Sequence, residues 1–140
     1  MSGDTQMETI VVGHVPNPRG AAALAHGLHE ARRRSARLVV VNTSRGDALV
    51  DPEFLQGEAL AGLTEQLAAS GVAFELRQPV GRDIAEQLAQ VVEETSAQLL
   101  VIGIRHRSAV GKLLMGSAAQ RILLDVDCPV LAVKAAPQAG

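Results

Sequence analysis

Aromatic side chains and cysteine are nearly absent from this sequence. Its 140 residues include two Phe, no Trp and no Tyr, although hydrophobic residues make up 47% of the chain. A buried core must therefore be assembled from Val, Leu, Ile and Ala. The shortage of aromatic rings argues against single-stranded nucleic acid as a partner, because its bases stack on such rings. The one cysteine excludes an internal disulfide and is typical of a reducing compartment.

The sequence also lacks a strong net charge and any long apolar run. A formal net charge of −2 gives no reason to expect a basic surface that would bind nucleic acid. Residues 1–9 contain neither the basic region nor the apolar stretch of a secretory signal. No apolar run approaches the roughly 20 residues that cross a bilayer. We therefore expect a soluble, cytoplasmic protein that binds neither nucleic acid nor membrane.

Short apolar runs alternate along the chain with segments of helical periodicity. The apolar runs have the length and the β-branched content of strands, and they cover residues 9–15, 36–43, 72–78, 97–104 and 128–135. The segments between them begin with helix start signals, which are Asn17-Pro18, Asp51-Pro52, Asp83, and Ser117 with Gln120 as a capping box.

This alternation predicts an α/β fold. Helices cover both faces of a five-stranded parallel sheet, which gives a three-layer αβα sandwich. Right-handed crossovers favour the strand order 3-2-1-4-5. In that order the chain reverses direction between strands 1 and 4, and open α/β sheets bind ligands at such a switch point. We therefore expect a ligand site where the first strand ends, at Gly13–Val15, beside the end of the fourth strand at Gly103.

The stretch after the fourth strand, "GIRHRSAVGKLLMGS" (103–117), carries the elements of a phosphate site. Gly103 allows a sharp exit from the strand, Gly116 and Ser117 open a helix, and Arg105 and Arg107 add positive charge. A phosphate-binding loop and a solvated surface loop both fit this pattern. A P-loop does not fit, because His106 stands at its first glycine position and a leucine replaces its metal-binding hydroxyl.

Other candidate sites are weaker. His26 and His29 are spaced as helix neighbours, but no carboxylate or thiol completes a ligand set, so they are interpreted as surface residues and no metal is predicted. Cys128 is interpreted as an inert, buried thiol. The serines lack a nucleophile elbow, so hydrolase chemistry has no support in the sequence.

Four pieces of the chain resemble the universal stress proteins (UspA-like domains). They are "TIVVGHVPNPRGAAAL", "ARLVVVN", "PVGRDIAEQLAQVVEETSAQLLVIG" and "GSAAQRILLDVDCPVLAVK", and the resemblance covers about residues 8–135. It implies a single domain over residues 1–140 with an adenine nucleotide alpha hydrolase-like fold. It also implies ATP or AMP as ligand, a homodimer joined through the last strand from Pro129 to Lys134, and weak or absent catalysis, an ATPase of modest turnover at most.

The family's nucleotide motif, G-x-x-G-x9-G-[ST], is matched here except at its second glycine. Gly103, Gly116 and Ser117 fall on the other positions, and nine residues separate position 106 from Gly116. His106 replaces the second glycine, which in the family lets the backbone approach the ligand. Val15 stands where nucleotide-binding members carry an aspartate.

These two departures leave two hypotheses for a role in stress response. In the first, a nucleotide or another phosphorylated ligand binds between strands 1 and 4, with charge from the loop replacing glycine-backbone contacts. In the second, binding is lost and the domain is a dimeric interaction module. The residues predicted to contact a ligand are Gly13, His14, Val15, Thr43, Gly103, Arg105, His106, Arg107, Gly116, Ser117 and Ala118.

Overall fold

A computed structural model describes residues 7–44, 53–79, 83–104 and 116–135. Strands and helices alternate through these ranges, as the sequence predicts. The elements are β1 (Thr9–His14), α1 (Pro18–Arg34), β2 (Arg37–Asn42), α2 (Gly57–Ala69), β3 (Phe74–Arg77), α3 (Ile84–Thr95), β4 (Leu99–Ile104), α4 (Ser117–Asp125) and β5 (Val130–Lys134).

The strands form one parallel sheet in the predicted order β3-β2-β1-β4-β5. Successive side chains of a strand point to opposite faces of the sheet, so each central strand contributes side chains to two cores. In β1, Ile10 and Val12 belong to the core that includes α1 and α2, whereas Val11 belongs to the core that includes α3 and α4. The result is the predicted three-layer αβα sandwich.

Both cores are aliphatic, as the shortage of aromatic residues requires. Leu38, Leu67, Leu88 and Leu100 are among the largest side chains that are fully buried. Phe74 only flanks the first core. Within the described ranges, no helix combines the length and the apolar character needed to cross a bilayer.

Two predicted helix caps are confirmed. The Asn17 side chain accepts a hydrogen bond from the Gly20 amide at 3.0 Å, with Pro18 in the first turn of α1. The Asp83 side chain accepts from the Ala85 amide at 2.9 Å at the start of α3. These side chains satisfy amides that the first helical turn leaves without partners.

The predicted start of α2 is wrong. Asp51 and Pro52 lie outside the described residues, and the helix begins only at Gly57, with no side-chain cap. The cause is the fully buried Asn42, whose Oδ1 accepts from the Leu55 amide at 2.8 Å and whose Nδ2 donates to the Glu53 carbonyl at 2.9 Å. These hydrogen bonds tie residues 53–55 to the end of β2, so the helix starts after them.

The predicted capping box of α4 is also wrong. Gly116 occupies the N-cap position with φ −65° and ψ 160°, and Ser117 is the first helical residue. A glycine has no side chain with which to cap the helix. The N-cap position of α4 therefore lacks the side-chain cap that Asn17 and Asp83 provide at α1 and α3.

Candidate ligand site

An open cavity of about 390 Å³ lies at the carboxyl ends of β1 and β4, where the chain direction reverses. This volume falls in the range of small-molecule sites, which is about 300–1,000 Å³. Several elements contribute to its lining, which is Gly13, Val15, Arg19, Gly20, Thr43, Glu53, Ile84, Leu88, Ile102, Gly103, Gly116, Ser117, Ala118, Ala119 and Ile122.

Gly103, at the end of β4, lies against the backbone of α1. A Cβ atom at this position would come within 2.0 Å of the Arg19 carbonyl oxygen. The expected sharp exit does not occur at Gly103, because β4 continues through it to Ile104, which still pairs with β5. The residue must be glycine because the first turn of α1 approaches the strand so closely.

The first turn of α4 forms the opposite side of the cavity. Gly116, Ser117 and Ala118 all line it. The N-cap residue Gly116 has no side chain to cap this turn, and the turn contains no acidic residue. A helix N-terminus carries a partial positive charge and amides that point outward along the axis, which is the usual setting for a bound anion. A Cβ at Gly116 would meet no atom of the described residues within 4 Å, so these residues leave open space at the start of the helix.

Aliphatic side chains from α3, β4 and α4 supply an apolar wall. Leu88, Ile102 and Ile122 line the cavity and are themselves nearly buried. Gly13 lies against the same wall, because a Cβ there would be 3.3 Å from Leu88 Cδ1. An apolar wall beside a few polar groups is the usual composition of a small-molecule site.

The polar residues of the lining are Arg19 in the first turn of α1, Thr43 after β2, Glu53 before α2 and Ser117 at the start of α4. Sequence reasoning predicted Thr43 but missed Arg19 and Glu53. The signal for Arg19 was available, because it follows Asn17-Pro18 at the start of the helix after the first strand. Glu53 had no local signal, because its position depends on the hydrogen bond between its carbonyl and Asn42.

His14 does not line the cavity. Its side chain is 8% exposed, and its ring Nδ1 lies 3.1 Å from the Gly20 carbonyl oxygen. A carbonyl only accepts hydrogen bonds, so Nδ1 carries the proton of the neutral ring. Burial lowers the pKa of His14, and the bond to Gly20 offsets only part of that shift. The residue therefore holds β1 to the first turn of α1.

The structure thus brings together seven of the predicted residues around the cavity, from both sides of the switch point. These are Gly13, Val15, Thr43, Gly103, Gly116, Ser117 and Ala118. His14 is not in the lining and instead contacts the Gly20 carbonyl in the first turn of α1. Arg105, His106 and Arg107 lie outside the described residues.

The remaining candidates lie away from this cavity. His26 and His29 are exposed on α1. Cys128 is half-buried, and burial raises its pKa, so its thiol is held in the protonated form that is a poor nucleophile. Across residues 7–44, 53–79, 83–104 and 116–135, no group of three or more His, Cys, Asp or Glu side chains is arranged to hold a metal.

A parallel sheet of order 3-2-1-4-5, covered on both faces and open at its switch point, defines a doubly wound α/β protein. Comparison with known proteins gives a narrower class. The model of the universal stress protein family matches residues 7–134. The chain belongs to the universal stress protein family.

Individual relatives agree with this assignment. A universal stress protein of Mycolicibacterium smegmatis is 52% identical over 125 residues, which is 89% of this chain and 96% of that protein. The structure of a universal stress protein from Archaeoglobus fulgidus has a TM-score of 0.74 and 28% identity, covering 91% of this chain and 98% of that one. A similar fold, with TM-score 0.62, 23% identity and the same coverage, is that of the A. fulgidus universal stress protein in complex with dAMP.

Proposed function

We propose that this chain is a universal-stress-type regulatory protein that binds a nucleotide, or another phosphorylated small ligand, in the cavity between β1 and β4. The observation that carries the proposal is the start of α4. Its first turn lines the cavity, contains no acidic residue and follows a glycine at the N-cap, and a helix end of this kind favours an anion.

Comparison with other helix starts supports an anion at this place. Glu58 lies in the first turn of α2, and α3 begins with Asp83 and Glu86. Acidic residues at those positions balance the positive end of the helix. The first turns of α1 and α4, which both line the cavity, contain none. A bound phosphate would provide the missing negative charge.

The rest of the cavity suits the nucleoside part of AMP or ATP. The aliphatic side chains of Leu88, Ile102 and Ile122 would pack against an apolar ring, and Thr43 offers a hydroxyl for a polar group. The proposal agrees with the A. fulgidus complex, in which a protein of similar fold binds dAMP.

Thermal unfolding in the presence of ligand tests this proposal. A ligand that binds only the folded protein stabilises it by mass action, by about 2.7 kcal/mol at a hundred times its Kd. AMP or ATP at millimolar concentration should therefore raise Tm, whereas adenosine, which lacks the phosphate, should raise it less. An unchanged Tm with AMP, ATP and inorganic pyrophosphate would contradict the proposal.

A second proposal concerns the homodimer, and it rests on β5. This strand is at the edge of the sheet, and its side chains Val130, Leu131 and Ala132 are only half-buried. The Pro129 carbonyl and the Ala135 amide form hydrogen bonds with β4. Successive residues of a strand direct their backbone groups to opposite sides, so Val130, Ala132 and Lys134 direct their amides away from the sheet. An apolar edge with open backbone groups readily pairs with another strand, and we propose that a second copy of this chain does so.

The variant Ala132→Pro tests the dimer. It removes an outward amide without removing a hydrogen bond to β4, which is the setting in which an edge strand tolerates proline. Light scattering at micromolar concentration should give a dimer for the wild type and a monomer for the variant. A monomeric wild type would contradict the dimer. A dimer without any nucleotide binding would instead favour the alternative function, a dimeric protein-interaction module in stress response.

A further inference from the structure

Arg19 differs from the other arginines of the described ranges, because its guanidinium has no hydrogen bond or ion pair there. Each of the others is held by a partner within the protein. The pairs are Arg32 with the Ser70 carbonyl, Arg33 and Arg34 with Glu30, Arg37 with Thr9 Oγ1, Arg77 with Glu94, and Arg121 with Asp83. Arg19 instead lines the cavity between β1 and β4.

The backbone that carries Arg19 is fixed by close packing. Its carbonyl oxygen fills the space where a Cβ of Gly103 would be, at 2.0 Å. The next residue, Gly20, donates its amide to Asn17 at 3.0 Å and accepts from His14 through its carbonyl. The backbone from which the side chain extends is therefore fixed, and a ligand would need to order only the side chain itself.

The position of Arg19 is electrostatically unfavourable without an anion. It lies in the first turn of α1, where the helix dipole is positive and where no acidic residue is present. Cations are favoured at the other end of a helix, and α1 follows this rule with Arg32, Arg33 and Arg34 in its last turn. An anion in the cavity would interact favourably with both the dipole and the guanidinium.

The two lining residues where a carboxylate could pair with Arg19 do not supply that negative charge. Val15, which lines the same cavity from the end of β1, has no charge. Glu53 is the acid in the lining, and it has a partner of its own.

We propose that Arg19 binds the phosphate of the ligand and makes the site select for ligand charge. This assignment rests on the proposed function of the cavity. A guanidinium can donate two parallel hydrogen bonds to one phosphate, which makes it a specific partner as well as a charge. The start of α1 and the start of α4 then act on the ligand from two sides of the switch point.

Calorimetric titration of AMP and adenosine tests the assignment. Arg19→Gln should lower the affinity for AMP by at least about tenfold, the effect of losing a charged hydrogen bond, and leave the affinity for adenosine unchanged. Arg19→Lys should retain part of the AMP affinity, because it keeps the charge and loses the planar fork. The matched control is Arg33→Gln, an exposed arginine on the same helix, which should bind both ligands as the wild type does.

The possible results separate the two proposals. If the wild type binds neither AMP nor pyrophosphate, the proposed function fails and the assignment of Arg19 fails with it. If the wild type binds AMP and Arg19→Gln binds it equally well, the function stands and the assignment is wrong. An equal loss for AMP and adenosine would also overturn the assignment, because it would indicate a structural role.

Discussion

Gly103 and Gly116 both line the cavity, one where β4 ends and the other where α4 begins, but the fold requires only one of them. A side chain at Gly103 would collide with the backbone of α1. At Gly116 the backbone has dihedral angles open to any residue, and a Cβ would meet no atom of the described residues within 4 Å. Two glycines of the same sequence motif therefore differ physically: close packing of the fold requires glycine at Gly103, whereas the described residues leave open space at Gly116.

The largest expected effect is on folding, at Gly103. Gly103→Ala should lower the free energy of unfolding by about 1–3 kcal/mol, as overpacking of a tight contact does. Denaturant unfolding measures this change. The control is Gly62→Ala inside α2, where a Cβ meets nothing and alanine should stabilise the helix by about 0.5–1 kcal/mol. If Gly103→Ala were as stable as the wild type, the fold would not require glycine at this position, and the contrast between Gly103 and Gly116 would be wrong.

The next effect is on binding, at the start of α4. Ser117→Asp places a carboxylate where we expect the phosphate, so AMP affinity should fall at least about tenfold, in line with the cost of losing one charged contact. Stability should instead rise, by about 0.3–1 kcal/mol, because an acid suits the helix N-terminus. Calorimetry and thermal unfolding measure the two changes.

The matched control for this variant is Ala59→Asp, in the first turn of α2. Ala59 is exposed and does not line the cavity. It should give a similar gain in stability with unchanged AMP affinity. If both variants bind AMP as the wild type does, the start of α4 is not the phosphate site.

A third effect tests the buried contact between His14 and the first turn of α1 through pH. Burial lowers the pKa of His14 in the folded protein. Below about pH 6.5, the ordinary pKa of histidine, the unfolded chain therefore binds a proton that the folded protein resists. Stability is fully present above this pH and falls as the pH decreases towards the folded pKa.

The variant His14→Gln should flatten this part of the pH profile, measured by denaturant unfolding between pH 7 and pH 5. His29→Gln, at an exposed position of α1, is the control and should keep the wild-type slope. A profile that is equally steep in His14→Gln would assign the pH dependence to other groups.

The smallest expected effect on stability is at Gly116. Gly116→Ala should change the free energy of unfolding by less than about 1 kcal/mol, because the smaller entropy of the unfolded alanine variant offsets the preference of the N-cap position for glycine over alanine. Because the new methyl group occupies space at the start of α4, AMP should bind more weakly than to the wild type. A variant that is strongly destabilised would show that this glycine, like Gly103, is required by the fold.

The sequence predicts those features of the fold that depend on neighbouring residues. The strands follow from short apolar runs, and the starts of α1 and α3 follow from Asn17 and Asp83, whose side chains cap amides two or three residues away. The start of α2 could not be predicted in this way. It depends on the hydrogen bond from Leu55 to Asn42, which is distant in sequence.

The candidate site was predicted only in part, for the same reason. Strand order alone places Gly13 and Gly103 together. The need for glycine at 103 comes from the approach of Arg19, and His14 turns beneath α1 because the Gly20 carbonyl faces it. These contacts between separate elements exist only in the folded chain, so periodicity and spacing do not contain them.

Backbone amide chemical shifts during an AMP titration test the central claim most directly. If the cavity binds the phosphate through the start of α4, the largest changes should occur at Ser117, Ala118 and Ala119, with further changes at Gly13 and Arg19 across the switch point. Adenosine should leave the α4 amides nearly unchanged. Saturating AMP that perturbs none of these amides, or that perturbs only residues of β5, would contradict the account.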